Sequence, residues 1–154
     1  GREWKRKGLR RAIDTVEAFR VINPNATLDV YGAEPSAFPK KVREKSRIRL
    51  MGWSSEIPWA KYDALLHPAE NEPFGMVIAE ARSHGVAVIM SDRVGAADLA
   101  FNNVRVVPFD APLSEWVLAL HELVASSDRS SEVKWTWDDL INLHCQTIYP
   151  RLEV

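Results

Sequence analysis

The chain has 154 residues, enough for one globular domain with a sizeable core. Hydrophobic residues make up 46% and charged residues 27%, which argues against intrinsic disorder. The formal net charge of -1 argues against a surface made for nucleic acid, so no nucleic-acid partner is expected. The single cysteine, Cys145, excludes an internal disulfide framework and a cysteine-rich zinc site.

The expected location is the cytoplasm. No apolar run approaches the roughly 20 residues that span a bilayer, and no signal peptide opens the chain. Peripheral contact with the inner face of a membrane is left open. Because the sequence starts at Gly1 without a methionine, we expect it to be a fragment of a longer protein.

Apolar spacing predicts helices and strands that alternate along the chain. Leu9, Ile13, Val16 and Phe19 recur at helical spacing and predict a first helix over about 7–21. Apolar runs, most of them strand-like, follow at 26–31, 48–51, 64–67, 86–90 and 104–107, and further helices at 75–84, near 96–101, at 112–125 and at 137–149. This alternation, about every 20 residues, predicts an α/β fold with a parallel sheet covered by helices on both faces.

Ligands of such open sheets bind beyond the carboxyl ends of the strands, and the segment from His67 to Glu80 lies at one of these ends. The first turn of the helix that Gly75 begins offers backbone N–H groups to phosphate or sugar oxygens. Glu80, in the second turn, can accept two hydrogen bonds from a ribose diol. The alternative is that Glu72 and Glu80 are solvated surface residues.

The order of residues in this segment resembles the C-terminal domain of retaining GT-B glycosyltransferases. Glu72-Pro73-Phe74-Gly75, Glu80-Ala81, Gly85 and the strand over 86–90 are similar to the Glu-x7-Glu signature of that family. The resemblance covers nearly the whole chain and implies a Rossmann-like domain, one half of a GT-B fold. Residues 1–154 would then form the nucleotide-sugar-binding domain, with the N-terminal acceptor domain absent.

The resemblance also implies a role for each residue of the segment. Glu80 would hold the ribose hydroxyls of the donor, and Glu72 would contact the transferred sugar. The N–H groups of Phe74, Gly75 and Met76 would face the sugar hydroxyls and the phosphates.

The sequence departs from the family's pattern at two places. Ala87 stands where the family usually has proline, and Gly95-Ala96-Ala97-Asp98 replaces a common Gly-Gly-x-x-Glu segment. The second departure puts the local loop geometry in question.

A basic segment opens the chain. Its cations are Arg2, Lys5, Arg6, Lys7, Arg10 and Arg11. A departing nucleoside diphosphate concentrates negative charge, which an enzyme without a metal must neutralise with Arg or Lys. Lys7-Gly8 with Arg2 five residues earlier is similar to the family's pair that grips the pyrophosphate. We expect Arg2 and Lys7 to act in catalysis with no metal or other cofactor; the alternative is a solvated basic face.

The strand over 48–51 ends where the resemblance places the nucleobase. Trp53 and Ser54 are therefore candidates for base contact, against the alternative that Trp53 belongs to the core. His67, at the end of another strand, is interpreted as a structural histidine and not as a catalyst.

Taken together, the sequence predicts the donor-binding half of a retaining glycosyltransferase, with hexosyl transfer expected. The partners would be a nucleotide-sugar donor and a saccharide or lipid-linked acceptor bound through the other domain. The fragment alone is predicted to be inactive in transfer. Two alternatives are a non-catalytic interaction or regulatory domain of the same fold, which the altered segment at 95–98 favours, and a receiver-type signalling domain, whose acidic residues are not evident.

Overall fold

The computed structural model describes residues 3–98 and 102–126, so Arg2 and the predicted helix over 137–149 lie outside the described residues. Four helices are described: α1 (Leu9–Phe19), α2 (Lys40–Arg43), α3 (Met76–Ser83) and α4 (Leu113–Ala125). Five strands lie between α1 and α4 along the chain: β1 (Leu28–Tyr31), β2 (Ile48–Gly52), β3 (Ala64–His67), β4 (Ala87–Ser91) and β5 (Val104–Val107). In this part of the chain, no helix is long and apolar enough to cross a membrane.

The strands pair in parallel, as predicted, but they form two sheets within the described residues. β1 pairs with β2, and Leu28 lies opposite Ile48. The second sheet has the order β3-β4-β5. The neighbouring edges of the two sheets, β1 and β3, do not pair with each other. Apolar periodicity predicts strands but carries no signal for which strands become neighbours.

Helices cover both faces of the three-stranded sheet, and β4 packs against them on each face. Val88 and Met90 pack in one core cluster with Ile78 of α3. Ile89, which points to the opposite face, packs in a second cluster with Trp116 of α4. All five residues of β4 are buried. A strand covered on both faces explains why its sequence is continuously apolar and not alternating.

A third core cluster joins the two-stranded sheet to its helices. Leu9 and Ile13 of α1 pack there with Val42 of α2 and Ile48 of β2. The helix α2 lies in a polar stretch for which we predicted no regular element. Four residues carry too little periodicity to be recognised, and a single buried residue, Val42, anchors this helix.

Ser54-Ser55-Glu56 also predicts the start of a short helical turn before Tyr62. Ser54 does form a local turn, in which its hydroxyl accepts a hydrogen bond from the Glu56 N–H at 3.2 Å. The helical turn itself is a 3-10 turn later in the chain, at Trp59–Lys61, after Pro58. The predicted helix near 96–101 is described as a 3-10 turn over Gly95–Asp98.

Candidate donor-binding site

The loop from His67 to Gly75 lies at the carboxyl end of β3 and leads into α3. Gly75 precedes the helix with φ 88°, a left-handed conformation that L side chains rarely adopt. A Cβ at this position would lie 2.8 Å from a methyl carbon of Val94. Glycine is therefore needed for both the backbone turn and the packing that begins α3.

The segment after β4 holds this loop in place. Gly95 N–H donates to the Glu72 carbonyl at 2.9 Å, and Ala96 N–H donates to the Phe74 carbonyl at the same distance. A Cβ on Gly95 would lie less than 3.0 Å from the Pro73 carbonyl oxygen. The Gly95–Asp98 segment, although it departs from the family's pattern, thus packs closely on the loop that carries Glu72.

The turn before α1 brings the basic segment onto the same loop. Gly8 has φ 74°, and a Cβ on it would lie less than 3.0 Å from the Pro68 carbonyl oxygen. The Glu70 N–H donates to the Arg6 carbonyl at 2.8 Å. These contacts join residues that lie 60 or more positions apart and set the start of α1 against the end of β3.

Lys7 and Glu72 meet as a result. The Lys7 ammonium donates a hydrogen bond to Glu72 Oε2. Arg6 Nη1 lies 3.9 Å from the same oxygen, and the Glu72 side chain is only 13% exposed. The Glu72 carboxylate is thus held between cations of the basic segment.

His67 is buried next to this ion pair. Its Nε2 lies 3.9 Å from Glu72 Oε2 and has no hydrogen-bond partner among the described residues. Burial, the main cause, and the nearby positive charge of Lys7 together lower the pKa of His67 to about 4, against the opposing effect of Glu72. The imidazole is therefore neutral at pH 7.

A cleft of about 870 Å³ opens beside these residues. Four of the predicted site residues line it: Lys7, Trp53, Ser54 and Glu80. Trp53 is 73% exposed, so it does not belong to the core. The cleft thus brings together residues from the basic segment, the loop after β2 and the second turn of α3.

The other predicted residues within the described chain do not line this cleft. Phe74, Gly75 and Met76 form the entrance to α3, where Gly75 is buried and Met76 is 40% exposed. Glu72 is not among the residues that line the cleft, but it accepts a hydrogen bond from Lys7, which is. Arg2 lies outside the described residues.

Two further residues lie beside the predicted ones. His67, which we interpret as structural, lines the cleft, and its side chain lies close to Glu72. The guanidinium of Arg6, which is not among the residues expected to act in catalysis, donates to the Asn71 carbonyl. The available signal for His67 was its position at the last residue of a strand, where ligands of parallel sheets bind.

Residues 3–98 and 102–126 contain no group of three or more His, Cys, Asp or Glu residues placed to hold a metal ion. Metal independence of the reaction remains a prediction.

The family described as "Glycosyl transferases group 1" matches residues 1–126. The chain belongs to this family. No curated protein matches the chain by sequence.

Two solved structures are similar to this member of the glycosyl transferases group 1 family. One is WaaG, a glycosyltransferase involved in lipopolysaccharide biosynthesis, with a TM-score of 0.70 and 25% identity, over 84% of this chain and 37% of that one. The other is sucrose-phosphate synthase from Thermosynechococcus elongatus, with a TM-score of 0.60 and 20% identity, over 96% of this chain and 43% of that one. The predicted Rossmann-like α/β fold of the GT-B kind is confirmed, and the chain spans less than half the length of either protein.

Proposed function

We propose that this domain binds the nucleotide-diphosphate sugar of a retaining glycosyltransferase, which passes the sugar to an acceptor hydroxyl. The observation that carries the proposal is that Lys7, Trp53, Ser54 and Glu80 line one cleft. They come from three separate elements and supply different chemistry: a cation, an aromatic face, a hydroxyl and a carboxylate. Ligand sites of parallel sheets lie at this edge.

The chemistry of each group suits one part of such a donor. Trp53 offers an exposed aromatic face and Ser54 a hydroxyl to the base. The exposed Glu80 carboxylate accepts hydrogen bonds from the ribose. Glu72, 13% exposed and beside Lys7, would contact the transferred sugar.

Stabilisation of the departing diphosphate is assigned to Lys7, Arg2 and the entrance to α3. As the bond to the sugar breaks, negative charge grows on the phosphate oxygens, and preorganised cations and N–H groups lower the energy of that state. The N–H groups of Phe74, Gly75 and Met76 lie at the positive end of the α3 dipole. His67 remains neutral and adds no charge of its own.

The proposal also covers the class of acceptor and the cellular location of the reaction. The acceptor would be a saccharide or lipid-linked hydroxyl held by a second domain, in the cytoplasm or at the inner membrane face. Hexosyl transfer would therefore need both domains, and these 154 residues alone would bind the donor without transferring it.

Calorimetric titration with a panel of nucleoside diphosphates and their sugars tests the proposal. We expect one nucleotide to bind, and Glu80→Gln to weaken its binding by about 1–3 kcal/mol, roughly 5- to 150-fold, as expected for the loss of a polar contact that the bound nucleotide shields from water. Glu115→Gln, an exposed carboxylate on α4, serves as the matched control and should change nothing. Failure of the folded protein to bind any of the panel would overturn the proposal in favour of a non-catalytic interaction domain.

A further inference from the structure

His67 is a buried polar side chain to which the proposed function gives no role. It is the last residue of β3, its side chain is 10% exposed, and its Nε2 has no hydrogen-bond partner among the described residues. The two preceding residues of the strand, Leu65 and Leu66, pack in apolar clusters. A buried polar atom without a partner destabilises a fold, so its presence calls for a functional explanation.

The ring nitrogen of His67 lies close to the carboxylate of Glu72. The distance from Nε2 to Oε2 is 3.9 Å, which exceeds the usual length of a hydrogen bond by only about 1 Å. Hydrogen bonds in active sites are often long before the substrate binds and shorten in its complex. Because a carboxylate can only accept, the neutral imidazole would carry its proton on Nε2 and donate to Glu72.

The groups around Glu72 converge on one of its two carboxylate oxygens. The Lys7 ammonium donates to Oε2, and Arg6 Nη1 and His67 Nε2 each lie 3.9 Å from the same atom. Within the part of the chain that the structure describes, no group donates a hydrogen bond to Oε1. With Oε2 held from the protein side, Oε1 is the oxygen that can accept a hydrogen bond from a sugar hydroxyl.

Two of the three groups near Oε2 serve other partners as well. The Arg6 guanidinium donates to the Glu3 carboxylate at 2.6 Å. In the proposed function, Lys7 also stabilises the departing diphosphate. His67 Nε2 has no other partner among the described residues, so it is the donor that can serve Glu72 alone.

We propose that His67 is a positioning residue for Glu72: in the donor complex its Nε2–H donates to Oε2 and holds Oε1 towards a hydroxyl of the transferred sugar. The inference rests on the proposed function, in which Glu72 contacts that sugar. The base and the diphosphate are bound by other groups. His67 therefore acts on the sugar part of the donor only, and it raises the selectivity for a nucleotide that carries a sugar.

Calorimetric titration of the 154-residue chain separates this role from a structural one. The ligands are the nucleoside diphosphate that the wild-type protein binds and the sugar derivative of the same nucleotide. His67→Leu removes the donor, His67→Gln keeps an N–H group, and His121→Leu, at an exposed position on α4, is the matched control. Thermal unfolding shows whether each variant is folded, and His67→Met replaces His67→Leu if the latter is not.

We expect His67→Leu to weaken binding of the nucleotide-sugar about tenfold and that of the nucleoside diphosphate less than about twofold. His67→Gln and His121→Leu should bind both ligands as the wild type does. In a protein that already carries Glu72→Gln, His67→Leu should cause no further loss, because the two residues act as one unit.

Three results would overturn the inference and leave the proposed donor site standing. The first is an equal effect of His67→Leu on the two ligands, or none on either. The second is a loss in His67→Gln as large as that in His67→Leu, and the third is a full loss from His67→Leu in the Glu72→Gln protein. Failure of the wild type to bind any nucleotide or nucleotide-sugar would overturn the proposed function itself and this inference with it.

Discussion

At the scale of single residues, two charged side chains of the candidate site lie close to a buried neutral histidine. Lys7 and Glu72 form an ion pair, and the buried His67 lies beside it. The ion pair keeps positive charge close to His67, which adds to the effect of burial on its pKa. The same three residues would contact or adjoin the donor in the proposed function.

Lys7→Met is expected to weaken the binding of a nucleoside diphosphate and to leave the binding of the nucleoside unchanged. Loss of a hydrogen bond to a charged group costs about 1.5–3 kcal/mol, or roughly 10-fold or more in affinity. Lys5→Met removes the same charge from an exposed position beside Trp4 and is the control. If both variants weaken the diphosphate equally, the effect is one of general charge and Lys7 has no special role.

His67 is expected to make the protein less stable as the pH falls from about 6.5 to about 4. The unfolded chain takes up a proton near pH 6.5, whereas the folded chain takes it up only near pH 4. This contribution to stability is therefore fully present above pH 6.5 and is lost as the pH falls towards 4, by at most about 3 kcal/mol.

Urea unfolding at pH 7 and pH 5 measures this contribution. His67→Gln, which cannot take up a proton there, should lose less stability between the two pH values than the wild-type protein does. His84→Gln, at an exposed position after α3, is the control and should follow the wild type. The same loss in His67→Gln as in the wild type would contradict the assignment.

At the scale of elements, glycines at positive φ join helices to the ends of strands. Gly8 precedes α1 and Gly75 precedes α3, and both lie against neighbouring groups that a Cβ would meet. The first sets the basic segment on the end of β3, and the second begins α3 beneath Val94. Close approach of the backbone at these points brings the separate elements of the site together.

Gly8→Ala is expected to destabilise the fold more than Gly52→Ala. The two glycines have nearly the same φ, 74° and 73°, so alanine strains the backbone equally at both. On Gly8 a Cβ would lie less than 3.0 Å from the Pro68 carbonyl, whereas on Gly52 the nearest atom is 3.7 Å away. Overpacking adds about 1–3 kcal/mol at Gly8 alone, measured as the difference in unfolding free energy. Equal losses would show that α1 shifts away from Pro68 without cost.

At the scale of the whole molecule, the site lies between parts of the fold that are distant in sequence. The two sheets are held by the shared packing of α1 and α4, and the cleft lies where the sheets face each other. A ligand bound in this cleft would contact elements from both sheets. Its binding should therefore stabilise the whole domain and not one loop.

A bound nucleoside diphosphate is expected to raise the thermal midpoint. At a concentration of 100 times the dissociation constant, binding adds about 2.7 kcal/mol, which corresponds to a shift of roughly 5–10 °C in a domain of this size. Differential scanning fluorimetry with increasing nucleotide checks this. Glu80→Gln should need more nucleotide for the same shift, and a midpoint that does not respond in the wild type would count against the site.

Local sequence alone predicted the order of most helices and strands and pointed to the loop that holds Glu72 and the helix that holds Glu80. Periodicity and glycine breaks act over a few residues, so β4 and α4 could be predicted from their own segments. Only the tertiary structure decided that Lys7 meets Glu72, that His67 is buried beside them and that, within residues 3–98 and 102–126, the strands pair as two separate sheets. The reason is that burial, a lowered pKa and strand pairing depend on neighbours from distant parts of the chain, which no local pattern records.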